Sequence, residues 1–155
     1  MLRNISKTLF FTLPFLLITS CSETSYQNKD ELIKAVRPNV KEVTAKELKD
    51  KIAKQEEEFT LIDVRQKPEF ENGAIEGAVN IPRGVLEFKI NDDAFWEEEY
   101  MYPPTDTTLI ILYCKHGSRS ILAGESLIKL GYKNISYLKG GYTGYTSNIR
   151  RDKLM

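Results

Sequence analysis

The run Leu109-Ile110-Ile111-Leu112-Tyr113 is short, apolar and partly β-branched, and it passes directly into Cys114-Lys115-His116-Gly117-Ser118-Arg119-Ser120. Beyond that polar loop, residues 121–130 have the content of a largely buried helix closed by Gly131. Cys114 is therefore expected at a strand-to-helix turn. Three further apolar runs, residues 59–64, 78–81 and 135–138, are separated mostly by helical or irregular segments. Continuous apolar runs, rather than strict alternation, indicate strands buried on both faces, and hence an α/β fold with a mainly parallel sheet covered by helices. Ligand sites in such sheets lie beyond the carboxyl ends of strands, where both Cys114 and Asp63-Val64-Arg65 fall.

The position of Cys114 has chemical consequences. A helix N-terminus offers unpaired backbone N–H groups and a partial positive charge, which favour an anion over its neutral acid. Lys115, His116 and Arg119 add donors or charge, and Gly117 lets the backbone curl inward. A free cysteine is often only a small buried hydrophobe. Such a core thiol, however, has no need of Gly, Ser, Arg and Lys in the next six positions. The loop points to a nucleophilic thiolate.

The stretch 114–120 resembles the Cys-x-x-Gly-x-Arg-Ser active-site loop of rhodanese-type sulfurtransferases. Leu61-Ile62-Asp63-Val64-Arg65, Glu69-Phe70 and residues 73–82 resemble the amino-terminal signature of that family. Leu138-Lys139-Gly140-Gly141-Tyr142 with Tyr145 resembles its carboxy-terminal one. Two departures stand out: Ala74 replaces a usual histidine and Tyr145 a usual tryptophan, both outside the cysteine loop. The resemblance covers about residues 40–150. It implies a rhodanese-like three-layer sandwich, with a central mainly parallel sheet between helices, and a catalytic Cys114. Lys115, His116, Gly117, Ser118, Arg119 and Ser120 would form the substrate-binding loop. No metal and no organic cofactor are implied.

The chain opens on Arg3 and Lys7, an apolar core over residues 9–18, and Ile18-Thr19-Ser20-Cys21. Ten apolar residues are too few to span a bilayer. The ending resembles the lipobox of bacterial lipoproteins, which implies cleavage before Cys21 and acylation of it. A secretory signal with a chance cysteine, or an uncleaved anchor, would leave that cysteine unexplained. Two or more acyl chains anchor stably where one does not. Ser22 resembles an outer-membrane address, so the resemblance implies a bacterial cell envelope protein, lipid-anchored and facing the periplasm.

Residues 1–20 carry two basic and no acidic residues, so the balance of 22 basic to 22 acidic becomes 20 to 22 without them. That gives no electrostatic reason to expect nucleic acid as a partner. The 134 residues from Ser22 suit one domain. The expected organisation is a signal over 1–20, a lipidated N-terminus and tether over 21–39, one domain over 40–151 and a tail over 152–155. If Cys21 carries lipid, Cys114 is the one remaining thiol. An internal disulfide is then impossible, and a sulfur loaded on Cys114 must leave on another molecule's nucleophile.

Within the tether some helix is expected near residues 30–36. Residues 40–43 read as an edge strand, and Thr44-Ala45-Lys46-Glu47 fits a capping box for a helix burying Leu48 and Ile52. Glu56-Glu57-Glu58 reads as a solvated loop. Asp63 could be an acid and Arg65 a substrate anchor. The better reading is structural: Asp63 bonds backbone N–H groups and Arg65 pairs with Glu69, four residues on. His116, the one histidine, could assist a proton transfer, but an already ionised thiolate needs no dedicated base. Residues 83–106 scatter Phe88, Phe95, Trp96, Tyr100 and Tyr102 among acidic residues. They suit a core-filling crossover, or else a wall of the substrate mouth.

The expected function is sulfur transfer from thiosulfate or a persulfide to a thiol or cyanide, through a Cys114 persulfide. One alternative is a tethered binding or persulfide-carrying module with negligible turnover, its protein partner unspecified. A further alternative is a phosphatase or arsenate reductase. Those loops generally follow Cys-x-x-x-x-x-Arg, however, whereas four residues separate Cys114 from Arg119.

Overall fold

In the computed structural model, which describes residues 25–54 and 59–152, the apolar runs are strands of one parallel sheet. The strands are β1 (Lys41–Val43), β2 (Phe59–Asp63), β3 (Ala78–Asn80), β4 (Leu109–Tyr113) and β5 (Ile135–Leu138), in spatial order β1-β5-β4-β2-β3. The register places Asp63 beside Tyr113, so the carboxyl ends of β2 and β4 finish level with each other. Everything that follows either strand meets on one rim.

Side-chain alternation along β4 divides the core into two layers. Ile110, Leu112 and then Cys114 face one side, with Ile62, Ile135 and Tyr137. That side is covered by α1 (Lys29–Val36), α4 (Leu86–Lys89), α5 (Asp93–Glu98) and α6 (Ser118–Lys129). Ile111 and Tyr113 face the other side, with Leu61 and Leu138. There the cover is α2 (Ala45–Lys54) and α7 (Gly141–Asp152), which bring Leu48 and Tyr142. The short α3 (Lys67–Glu71) sits between β2 and β3 in the chain. The architecture is thus the expected α/β three-layer sandwich.

Local signals explain several boundaries. Thr44 caps α2 through a reciprocal box: its hydroxyl accepts from the Glu47 N–H at 3.2 Å, and Glu47 Oε2 accepts from the Thr44 N–H at 2.7 Å. Gly131, at φ +100°, ends α6 with the paired bonds Tyr132 N–H to Leu127 O and Gly131 N–H to Ile128 O.

Two expectations need correction. The tether expected over residues 21–39 contains α1 as a packed element. Ile33 and Val36 are buried in the layer that includes α6, and the Arg37 guanidinium donates to the Tyr137 hydroxyl at 2.9 Å. Apolar spacing, not polar composition, decides that segment. Helix α6 also begins at Ser118, three residues before the expected start, because Ser118, Arg119 and Ser120 form its first turn.

Residues 83–106 fill the core in part, and Tyr102 lies with Phe59 and Leu109 at the amino ends of β2 and β4, away from Cys114. Trp96 is fully buried and donates its indole N–H to Ile90 O at 2.9 Å, with Leu86 and Ile90 beside it in the core. Phe88, Tyr100 and Tyr102 are exposed. Residues 1–20, Cys21, Glu56-Glu57-Glu58 and residues 153–155 lie outside the described residues. No helix among those described is long and apolar enough to cross a membrane.

Candidate active site

Beyond β4 the chain turns through Cys114-Lys115-His116-Gly117 and enters α6 with Gly117 as its N-cap, at φ +107°. That left-handed conformation is open to glycine at little cost. It aims the Gly117 N–H back at the Cys114 sulfur, 3.1 Å away. The thiol is buried at 2 % exposure, at the N-terminal end of a twelve-residue helix. Ser120 Oγ lies 3.9 Å from the sulfur but 2.8 Å from Gly117 O. Its single proton goes to the closer acceptor, so Ser120 braces the turn. Lys115, His116 and Ser118 are exposed at the rim.

The carbonyls of this loop are tied from behind. Tyr142 N–H donates to Cys114 O at 2.8 Å and Thr143 N–H to Lys115 O at 3.1 Å. Both donors belong to the first turn of α7, whose N–H groups lack intrahelical acceptors. With these carbonyls tied to α7, the loop holds the Gly117 amide toward the sulfur. The approach is close: a Cβ on Gly141, at φ +59°, would stand 2.2 Å from Cys114 O. Gly140-Gly141-Tyr142, whose sequence signal is a glycine pair before an aromatic residue, thus has a structural task beyond its family likeness.

Asp63 and Arg65 lie next to the loop as a buried pair. Asp63 Oδ1 accepts from the Arg65 N–H at 2.9 Å, and Oδ2 accepts from Arg65 Nη2 at 2.6 Å. Arg65 Nη2 also donates to Gly73 O at 2.8 Å. The guanidinium lies 4.2 Å from the Tyr142 ring centre and 5.6 Å from that of Tyr113. Burial acts most strongly and lowers the Arg65 pKa, but the hydrogen bonds and charge of Asp63, with Tyr113, together outweigh it and hold the group above its ordinary value. For the Tyr113 phenol burial is the chief cause, and its pKa is pushed well up.

The expected pairing of Arg65 with Glu69 does not form. Helix α3 starts only at Lys67, so Arg65 precedes it and the four-residue helical spacing has no meaning for this pair. Glu69 instead receives Arg119 Nη1 at 2.7 Å and Nη2 at 2.9 Å, with the Gln66 N–H at 3.2 Å. Those Arg119 bonds are the main reason the Glu69 carboxyl is lowered to about 2, against the opposing effect of burial. Glu69 reciprocally raises Arg119, to which Cys114 adds a smaller contribution. The structure therefore gathers Asp63, Arg65, Glu69 and residues 114–120 around one rim. Among the described residues no cluster of histidine, cysteine and carboxylate side chains could hold a metal ion.

Comparison with known proteins agrees with this geometry. Residues 44–148 match the family described as the rhodanese-like domain. A Schizosaccharomyces pombe protein named "Putative thiosulfate sulfurtransferase, mitochondrial" is 38% identical over 92 residues, which cover 58% of this chain and 65% of the relative. The chloroplastic thiosulfate sulfurtransferase 16 of Arabidopsis thaliana is 32% identical over 90 residues, covering 56% of this chain and 73% of that one. The human single-domain sulfurtransferase TSTD1 superposes with a TM-score of 0.62 at 28% identity, over 68% of this chain and 94% of its own. The match therefore spans a little under two thirds of the S. pombe relative's length.

Proposed function

The chain belongs to the rhodanese-like domain family, and from that premise we propose that it is a sulfurtransferase working through a persulfide on Cys114. The observation that carries this reading is the Gly117 N–H at 3.1 Å from the Cys114 sulfur, in a loop whose Cys114 and Lys115 carbonyls are tied to α7. Backbone donors so placed stabilise a sulfur anion before and after transfer.

Thiosulfate illustrates the first half-reaction. The Cys114 thiolate attacks the outer sulfur, the donor S–S bond breaks, and sulfite leaves with the electron pair. Cys114 now carries a persulfide. In the second half a thiolate or cyanide attacks the terminal sulfur, and the Cys114 thiolate is the leaving group. The Gly117 amide faces the developing charge at the N-terminal end of α6, with Lys115 at the exposed rim. Arg119 is committed to Glu69, which together with the four-residue spacing disfavours phosphatase or arsenate reductase chemistry.

Localisation is part of the same proposal: acylation at Cys21 would hold the domain at a bacterial envelope membrane, where it would meet small sulfur donors and thiol acceptors. The decisive experiment is intact mass of the full-length chain in detergent, reduced and then incubated with thiosulfate or a persulfide, beside Cys114→Ser. Gain of one sulfur on wild type alone, with thiocyanate formed repeatedly on adding cyanide, is the expected result. A single stoichiometric release would mark a carrier rather than an enzyme. No loading from either donor would refute the reading.

A further inference from the structure

Sulfane sulfur reaches a thiolate in two chemical forms. One is a sulfonate-borne dianion such as thiosulfate, whose oxygens call for a cation, best a planar guanidinium offering two parallel donors. The other is a hydropersulfide, R–S–SH, which needs charge stabilisation only at the reacting sulfur atoms.

Two guanidinium groups flank the candidate site, and each is matched by a carboxylate. Arg65 is bound to Asp63, with side-chain exposures of 4% and 0%. Its second partner, Gly73 O, leaves it no fork for a ligand. Arg119 gives both terminal nitrogens to Glu69. Glu69 is itself fixed by the Gln66 N–H, so an anion seeking the paired terminal nitrogens of Arg119 would have to displace a carboxylate held from two directions. The low pKa of Glu69 keeps it ionised throughout the range in which a thiolate can act. Each pair sums to zero charge. What remains for an anion is the Gly117 amide at the Cys114 sulfur, the Arg119 N–H groups not given to Glu69, whose charge Glu69 already balances, and the solvated Lys115.

We propose that Glu69 is a specificity-determining residue that takes the terminal nitrogens of Arg119, balances its charge, and so directs the site toward thiol-borne hydropersulfides and away from the thiosulfate dianion. This rests on the sulfurtransferase reading above. In the loading step the Cys114 thiolate attacks the outer sulfur of R–S–SH and the donor S–S bond breaks. The R–S⁻ thiolate leaves with the electron pair, and the product is Cys114–S–SH. The Cys114 sulfur is oxidised by one formal unit on joining a disulfur bond, and the inner donor sulfur is reduced by one. The proton stays on the transferred sulfur or passes to water.

The test measures the rate at which Cys114 gains one sulfur, by intact mass, in the full-length chain in detergent. The donors are thiosulfate and glutathione persulfide, each normalised to its rate with free cysteine. Glu69→Gln frees the Arg119 fork, so the thiosulfate-to-persulfide ratio should rise about tenfold or more, through tighter thiosulfate binding. The double variant Glu69→Gln with Arg119→Gln removes both charges and should bring the ratio back to within about threefold of wild type. A ratio unmoved in the single variant, or one that stays high in the double variant, overturns the proposal. A wild type that favours thiosulfate after normalisation overturns it as well. Absence of loading from both donors would instead refute the persulfide mechanism itself.

Discussion

Tyr142 N–H donates to the carbonyl of Cys114 at 2.8 Å, so the first turn of α7 holds the backbone on which the candidate nucleophile sits. Two loops separated by the whole of α6 and β5 are thereby fixed together. The contact is possible only because Gly141 lacks a side chain.

Gly141→Ala should be one of the most damaging small substitutions in the chain. Its Cβ would fall 2.2 Å from Cys114 O, at a φ of +59° that disfavours any L side chain. Left-handed strain and steric overlap together should cost more than about 3 kcal/mol. Urea denaturation would report that loss, and sulfur loading on Cys114 should fall with it, because the Gly117 amide loses its aim.

Arg65→Met should destabilise the fold by about 3–5 kcal/mol, since it strands the fully buried Asp63 carboxylate. Adding Asp63→Asn should return part of the loss, because the amide oxygen can still accept from the backbone N–H of residue 65. A double-mutant cycle in urea measures the coupling. A double variant no more stable than Arg65→Met would show that the buried charge is not the cause.

The ion pair of Glu69 with Arg119 should give stability a distinct acid limb. Glu69 lies at about 2 in the folded chain against an ordinary 4.5. A lowered carboxyl contributes stability above its unfolded pKa and loses it as pH falls through the folded value. The melting-temperature gap between wild type and Glu69→Gln should therefore be full above about pH 5 and close toward pH 2. The pair is partly exposed, so the gap should correspond to about 1 kcal/mol.

Trp96 is the one tryptophan of the chain and reports directly on its least regular segment. Its emission should be strongly blue-shifted in the folded state, given a fully buried ring. Trp96→Phe leaves Ile90 O without its indole donor and removes packed volume, which should cost about 2–4 kcal/mol by thermal melting.

Sequence alone placed the strands well, because buried parallel strands are continuous apolar runs that carry their own signature. It placed Cys114 at the end of β4 for the same reason. The start of α6 was misjudged because Ser118, Arg119 and Ser120 have loop-like composition, although a first helical turn accepts such residues. Arg119 to Glu69 was out of reach: the partners are fifty residues apart, and only the register of β2 against β4 brings them together. Residues 83–106 resisted for another reason. Hydrophobicity does not distinguish Trp96, which fills the core, from Tyr100, which is 97% exposed.

The packing of α1 bears on how far this domain could travel from a membrane. Ile33 and Val36 fasten α1 into the body of the protein, and Asn28 caps it, so the packed body includes Asn28. If the proposed acyl anchor at Cys21 is present, the seven Cα-to-Cα steps from Cys21 to Asn28 bound its distance from that helix cap at roughly 23–25 Å. So anchored, the domain would be confined to a single molecular layer above the bilayer. Its exchange partners would then be either small solutes that diffuse to it or proteins fixed at the same surface.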